Sequence, residues 1–181
     1  MKKIIVFIFL FTTLSTVAQN YRTQYDTCQY LTQFEGEWLY ANNQDTVRIY
    51  LRPKRNFSVS VNYFCDNLYG WHEYKRGNII VESNYMNRFM YLPFFADSLK
   101  LNRPSITLIN YTCNASNINK LEGYITDLNQ ANERHAVKAE KTGGGSLPTY
   151  LLFKQSYIEF QGAFTGAYGM TLPKEFLLTK Q

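Results

Sequence analysis

The chain has 181 residues, carrying 15 Tyr and 13 Phe against only 18% charged residues, with a formal net charge of +5. That length builds one domain with a real core and is too short for two comfortable ones. The mild positive charge is spread among acidic residues, which excludes a nucleic-acid binder that reads a basic patch interleaved with aromatics.

Met1-Lys2-Lys3 precedes an apolar run from Ile4 to Phe11 and a small-residue stretch ending Thr16-Val17-Ala18-Gln19. Residues 1–18 read as a secretory signal peptide cleaved after Ala18, because the apolar run is too short to span a bilayer and small residues mark the cut. Cleavage leaves 163 of the 181 residues, 19–181, as one domain, and the loss of Lys2 and Lys3 lowers the formal charge from +5 to +3. Cys28 follows Tyr25-Asp26-Thr27, which is no lipoprotein box, and no later stretch could form a transmembrane helix. A soluble secreted or periplasmic protein is expected. In an oxidising compartment Cys28, Cys65 and Cys113 allow one disulfide and leave one thiol, with the pairing open.

Phe34-Glu35-Gly36-Glu37-Trp38 opens the first strand of the domain. Apolar residues then recur with period two at Val47, Ile49 and Leu51 and again at Phe57, Val59, Val61 and Tyr63, the pattern of strands with one dry face. Arg52-Pro53-Lys54-Arg55-Asn56 and Cys65-Asp66-Asn67 read as chain reversals, since Pro cannot donate to a ladder and Asn and Asp suit turns. Gly77-Asn78, between Trp71–Lys75 and Ile79–Glu82, reads as a two-residue hairpin turn.

From Tyr85 to Arg103 the alternation is lost, and Met86, Phe89, Met90, Tyr91, Leu92, Phe94 and Phe95 crowd around Pro93. A connection with this much apolar surface either packs over one end of the core or forms an aromatic lip at a ligand entrance. Alternation returns at Ile106–Tyr111, Leu121–Ile125 and Arg134–Ala139. Gly143-Gly144-Gly145 reads as a strand connection and not a phosphate loop, because no Lys-Ser or Lys-Thr follows it. Further strands are expected at Tyr150–Phe153, Tyr157–Phe160 and Glu175–Thr179. About ten short strands without a helix predict an all-β fold, an antiparallel meander closed into a barrel, with a β-sandwich as the alternative.

Gly36-Glu37-Trp38 on a first strand, followed by a meander, resembles the glycine-any-tryptophan signature of lipocalins and related calycin barrels. The resemblance implies an eight-stranded barrel in which the tryptophan plugs the closed end and stacks on a basic side chain from a late strand, where this chain offers Lys174 and Lys180. Gly36 and Trp38 then have structural roles. Gly70-Trp71-His72-Glu73-Tyr74, the Gly77–Ser83 segment, Thr171-Leu172-Pro173 and Phe176-Leu177-Leu178 also resemble an uncharacterised family of small secreted bacterial proteins, which implies no activity.

No catalytic constellation is expected. His72 is beside Glu73, but neighbours on a strand point to opposite faces, and His135 follows the polar run Asn132-Glu133-Arg134 as if at an exposed strand end. Glu35 and Glu37 share a face opposite to Trp38 and are expected in solvent. There is no metal-ligand spacing and no cofactor motif. The expected function is therefore non-enzymatic: a small apolar ligand held by interior side chains such as Val59, Val61, Tyr63 and Val81, with Phe89 and Tyr91 at the mouth. The alternative is an interaction module that meets a protein or glycan partner through a tyrosine-rich surface.

Overall fold

The backbone ladders of this chain return to where they started. The computed structural model describes residues 22–24, 26, 29–60, 63–90, 104–109, 118–130, 133–156 and 170–181; the side chains of 22, 24, 56–60 and 63 lie outside that description. Ten strands are present among the described residues: β1 (Arg22–Gln24), β2 (Gly36–Ala41), β3 (Asp45–Ser60), β4 (Tyr63–Arg76), β5 (Ile79–Ser83), β6 (Ile106–Ile109), β7 (Lys120–Asp127), β8 (Glu133–Gly144), β9 (Leu147–Gln155) and β10 (Glu175–Lys180). The only helical turns described are two 3-10 turns, Tyr30–Phe34 and Tyr85–Phe89. Eight strands form a closed ring in the order β4-β3-β2-β10-β9-β8-β7-β6, and β6 returns to β4. All eight pairings are antiparallel. A ring without an edge is a barrel, which disposes of the sandwich alternative.

β4 carries the closure. One of its edges belongs to β3 along most of its length, from Tyr63 to Arg76. The other edge is divided: β1 pairs with Tyr63–Cys65 in parallel, β6 with Leu68–Gly70, and β5 with Glu73–Arg76. Because β6 is only four residues long, β5 continues the wall towards the far end.

Two expected reversals are absent. β3 runs unbroken through Arg52–Asn56 and β4 through Cys65–Asn67, so each merges what the residue types had divided. The physical reasons are visible. Pro53, which has no N–H to give, is followed by a bulge where the register slips between Lys54 and Phe57. The turn-forming side chains at 65–67 are engaged elsewhere: Asp66 accepts the Asp26 amide at 3.0 Å, and Asn67 accepts the Cys65 thiol at 3.1 Å and donates to the Tyr69 hydroxyl at 3.0 Å. Cys65 is a free, buried thiol, pushed up to about 11 by burial, with the nearby Asp66 also raising it and the Asn67 hydrogen bond pulling the other way. Cys28, Cys113 and the strand expected at Tyr157–Phe160 lie outside the described residues.

Alternation decides the core. Val47, Ile49 and Leu51 of β3 point inward with Leu68 and Tyr74 of β4, Ile106 and Leu108 of β6, Ile125 of β7, Val137 of β8, Leu151 and Phe153 of β9 and Leu178 of β10, in one apolar cluster. Nearly all of these have no water-reachable surface, so this part of the interior is filled by the protein's own side chains. Strands approach closely where a side chain is missing: a Cβ on Gly123 would stand 1.9 Å from the Thr107 carbonyl oxygen of the neighbouring strand.

One end is sealed by the first 3-10 turn, whose Leu31 and Phe34 enter the core. Trp38 is fully buried just above it and donates its indole N–H to the Phe34 carbonyl at 2.8 Å. Lys180 from β10 lays its ammonium over the Trp38 ring at 5.4 Å and reaches the Gln33 carbonyl at 3.4 Å. Lys141 from β8 donates to the Gln33 side chain at 2.7 Å; burial, helped by the Lys180 charge, lowers its pKa. Gly36 has φ +116° with the Lys180 Cε 3.5 Å from where a Cβ would be, a backbone conformation that L side chains rarely adopt. The pairing of the glycine-tryptophan signature with a late basic residue is thus present, with Lys180 in the basic role.

The plug should dominate the stability of this end. Trp38→Ala should cost about 3–5 kcal/mol, as expected for a buried aromatic. Lys180→Ala, which removes a mostly exposed cation over a ring, should cost only about 0.5–1 kcal/mol. Urea unfolding followed by circular dichroism measures both, and equal losses would mean that the lysine is a buried structural charge instead.

Candidate functional site

The opposite end is the mouth, which the β2–β3 turn, the Gly77-Asn78 turn and the ends of β7, β8, β9 and β10 reach. The chain's polar interior is concentrated here. On β4 the inward position after Gly70 is His72, fully buried. Its Nε2 is 3.1 Å from Oε1 of Glu82 on β5, close but poorly aligned for a hydrogen bond, and its Nδ1 is 2.6 Å from Oγ of Ser105, just before β6. Ser105 Oγ also lies 3.1 Å from Asn84 Oδ1, which accepts the His72 amide at 3.0 Å, while the Asn84 amide donates to the His72 carbonyl at 3.0 Å.

These partners close the seam left by the short β6. Glu82 Oε2 accepts the Leu128 amide at 2.8 Å, and the Asn129 side chain donates to the Val81 carbonyl at 2.9 Å, so β5 is fastened to the β7–β8 turn. Serine, histidine and glutamate in sequence have the composition of a nucleophilic relay. Here Ser105 is 1% exposed and held from both sides by His72 and Asn84. The arrangement works as a staple between β4, β5, β6 and the β7–β8 turn.

Asp127, at the end of β7, organises the other side of the mouth. It is fully buried and accepts the Asn129 and Gln130 amides at 3.0 and 3.1 Å and the Thr171 amide at 2.6 Å. Burial alone would raise its pKa, but the hydrogen bonds from Thr171, Asn129 and Gln130 outweigh it and hold the carboxyl below its ordinary 3.8. This bond fastens Thr171 to the end of β7, and the flanking Met170 and Leu172 enter the apolar cluster.

His135 differs from its expected place. It shares the inward face of β8 with Val137 and Ala139 and is only 6% exposed, because strand parity overrides the polar residues before it. Gln155, opposite Val137 on β9, donates its amide to His135 Nδ1 at 3.4 Å. His135 Nε2 and Gln155 Oε1 are both buried without a partner.

Of the expected ligand residues, Val81 is half-buried against the core. Phe89 is 67% exposed on the outer face, its ring 5.5 Å from Tyr50, which points away from Ile49 and Leu51. The second 3-10 turn covers the outside of β3 and β4 there, with Arg52 donating to the Met90 carbonyl at 2.6 Å and standing over the buried Trp71 at 5.1 Å. Val61 and Tyr91 lie outside the described residues, as do the side chains of Val59 and Tyr63. Ser105, Glu82, Asp127 and Gln155 were not legible as site residues; the inward parity of His135 with Val137 and Ala139 was the one available signal. Among the described residues no group of three or more His, Cys, Asp or Glu could hold a metal ion, and no helix is long and apolar enough to cross a membrane.

Glu82→Ala should lower the unfolding free energy by about 1–3 kcal/mol for each buried donor it leaves without an acceptor, and hydrogen exchange should quicken at Leu128 first. Unchanged exchange there would sever Glu82 from the seam. Because the Asp127 pKa is depressed in the folded chain, its contribution is complete above the unfolded value near 3.8 and is lost as the pH falls through the folded value. Asp127→Asn should remove that loss from the acid limb of the stability profile, measured by urea unfolding as the pH is lowered through and below the ordinary carboxylate value of 3.8.

Nothing matches the chain significantly among curated proteins or among solved structures. A family model does match, over residues 1–181, and the chain belongs to that family, a family of unknown function (DUF6705).

Proposed function

We propose that this protein is a secreted or periplasmic lipocalin-like barrel that holds a small, mostly apolar ligand at its mouth end and breaks no bond in it. The observation that carries the reading is the asymmetry of the barrel's interior. At the sealed end Trp38 has Lys180 over its ring and its N–H bonded to Phe34, the buried residues around it are apolar, and the polar groups outside them are paired with one another. At the mouth the inward wall turns polar, with His72, His135, Gln155 and Asp127, over a floor of packed aliphatic residues. A shallow apolar floor beneath a ring of a few oriented polar groups is the usual make-up of a small-molecule site. Secretion rests on residues 1–18.

A second reading, an interaction module, draws on a different observation. Ile79 and Ile80 of β5 and Met86, Phe89 and Met90 in and just after the turn that follows it are large apolar side chains left exposed. Apolar surface of this kind suits a contact with a partner. It is built from Ile, Met and Phe, while Tyr69, Tyr74 and Tyr85 are buried, so tyrosine is not its main chemistry.

Native mass spectrometry of the protein recovered from its own host's periplasm and medium separates the two. The ligand-holding reading expects a chain beginning at Gln19 with a co-purifying small mass. A chain that arrives empty and bound to another protein would replace it with the interaction module.

A further inference from the structure

On the β8–β9 side of the mouth two buried polar atoms have neither a hydrogen bond nor an ion-pair partner among the described residues, and they belong to side chains that already touch. His135 and Gln155 lie on the inner faces of neighbouring strands β8 and β9, joined by the 3.4 Å contact between Gln155 Nε2 and His135 Nδ1. His135 Nε2 and Gln155 Oε1 make no hydrogen bond. Leaving such atoms buried and unpaired is costly, and native interiors rarely do it.

The contact between the two side chains fixes what they still offer. With the amide donating to a neutral ring, His135 Nδ1 is the acceptor, Nε2 carries the proton, and the pair presents one donor, Nε2–H, and one acceptor, Oε1. If the amide is turned over, Oε1 accepts from Nδ1–H, and the pair presents the acceptor Nε2 and the donor NH2. Either way one donor and one acceptor are left. An ether, an ester or a hydrocarbon cannot answer both.

We infer that His135 and Gln155 recognise the polar head of the ligand, and that this head is a neutral group able to donate and accept at once, a hydroxyl or a primary amide. The inference rests on the ligand-holding reading and narrows it to a class. The apolar body lies towards Phe153, Val137 and Leu151, which continue the same inward faces below the pair. Discrimination would come from the penalty for leaving the pair unpaired, since a site built to hydrogen-bond a hydroxyl rejects the analogue that lacks it.

The test uses the mature full-length chain and three probes with one ring system: 2-naphthol, 2-methoxynaphthalene and naphthalene, titrated by saturation-transfer NMR. The inference expects 2-naphthol to bind at least about tenfold more tightly than the methyl ether, the gain of about one buried hydrogen bond. In His135→Phe and in Gln155→Met that preference should shrink to within about twofold, while naphthalene binds each variant as it binds the native chain. Two variants on different strands guard against a local folding defect, and circular dichroism checks each. Equal binding of all three probes, unaltered in the variants, overturns the head-group inference and leaves the ligand-holding reading standing, with water then satisfying the pair. Binding of none overturns both.

Discussion

Closure of this barrel depends on the divided edge of β4. An antiparallel sheet with free edges must cover them or pair them, and an eight-strand ring removes them only if the last strand reaches the first. Here β6 is the strand that must reach, and it contributes just three pairings to β4, from Leu68 to Gly70. The gap above it is filled by β5, which is no member of the ring and is held by side chains as much as by its ladder. That is why the densest buried polar network of the described chain sits at this place. His72, Glu82, Ser105 and Asn84 do what backbone hydrogen bonds do elsewhere in the wall. The cost of burying them is offset by the bonds among Ser105, Asn84 and the His72 Nδ1 side and by the Glu82 bond to Leu128. His72 Nε2 and Glu82 Oε1 face each other at 3.1 Å without a well-aligned hydrogen bond.

The sealed end follows a different logic, since it relies on shape. A glycine at φ +116° lets the chain turn from the 3-10 segment into β2 while Lys180 passes within van der Waals reach. An indole then fills the bottom of the barrel, its one polar atom given to the Phe34 carbonyl. Lysine in place of arginine keeps the charge above the ring but gives up the planar fork, so it addresses the Gln33 carbonyl as a point donor. The partner Lys141 is lowered by burial and by that same charge, which places two cations around one glutamine at the foot of the barrel.

Much of this was legible in the residues. Period-two alternation marked β3, β6, β7 and β8, Gly77-Asn78 marked the β4–β5 turn, and Gly36-Glu37-Trp38 marked the plug. The misreadings share one cause. Pro53 with its charged neighbours, and Asp66 with Asn67, carry local preferences for turning, yet a long partner strand and side-chain hydrogen bonds across the sheet kept both segments extended. Local preference is worth a few tenths to about one kcal/mol per residue, less than a run of ladder bonds with its packed face. The polar residues of the mouth were hidden for another reason. Glu82 meets His72 across the β4–β5 hairpin, through a register shift between Tyr74 and Lys75, and Ser105 reaches it only because β6 takes the same edge of β4, which no spacing rule expresses. His135 was readable by parity and was masked by the charged residues before it.

The two ends treat polar groups in opposite ways, and that contrast bears on function. At the sealed end the indole N–H and both lysines have partners, so nothing there calls for a ligand. In the seam the histidine has serine on one nitrogen and glutamate against the other, so it is occupied by the fold itself. On the β8–β9 side of the mouth a buried imidazole faces inward with a nitrogen that has neither a hydrogen bond nor an ion-pair partner among the described residues, next to an amide with an oxygen unspent. Had His135 served stability alone, a leucine or valine in line with Val137 and Ala139 would have filled the space without the desolvation cost. On the ligand-holding reading proposed above, an inward polar pair kept incomplete above an apolar floor is half of a recognition contact, whose other half arrives with the ligand.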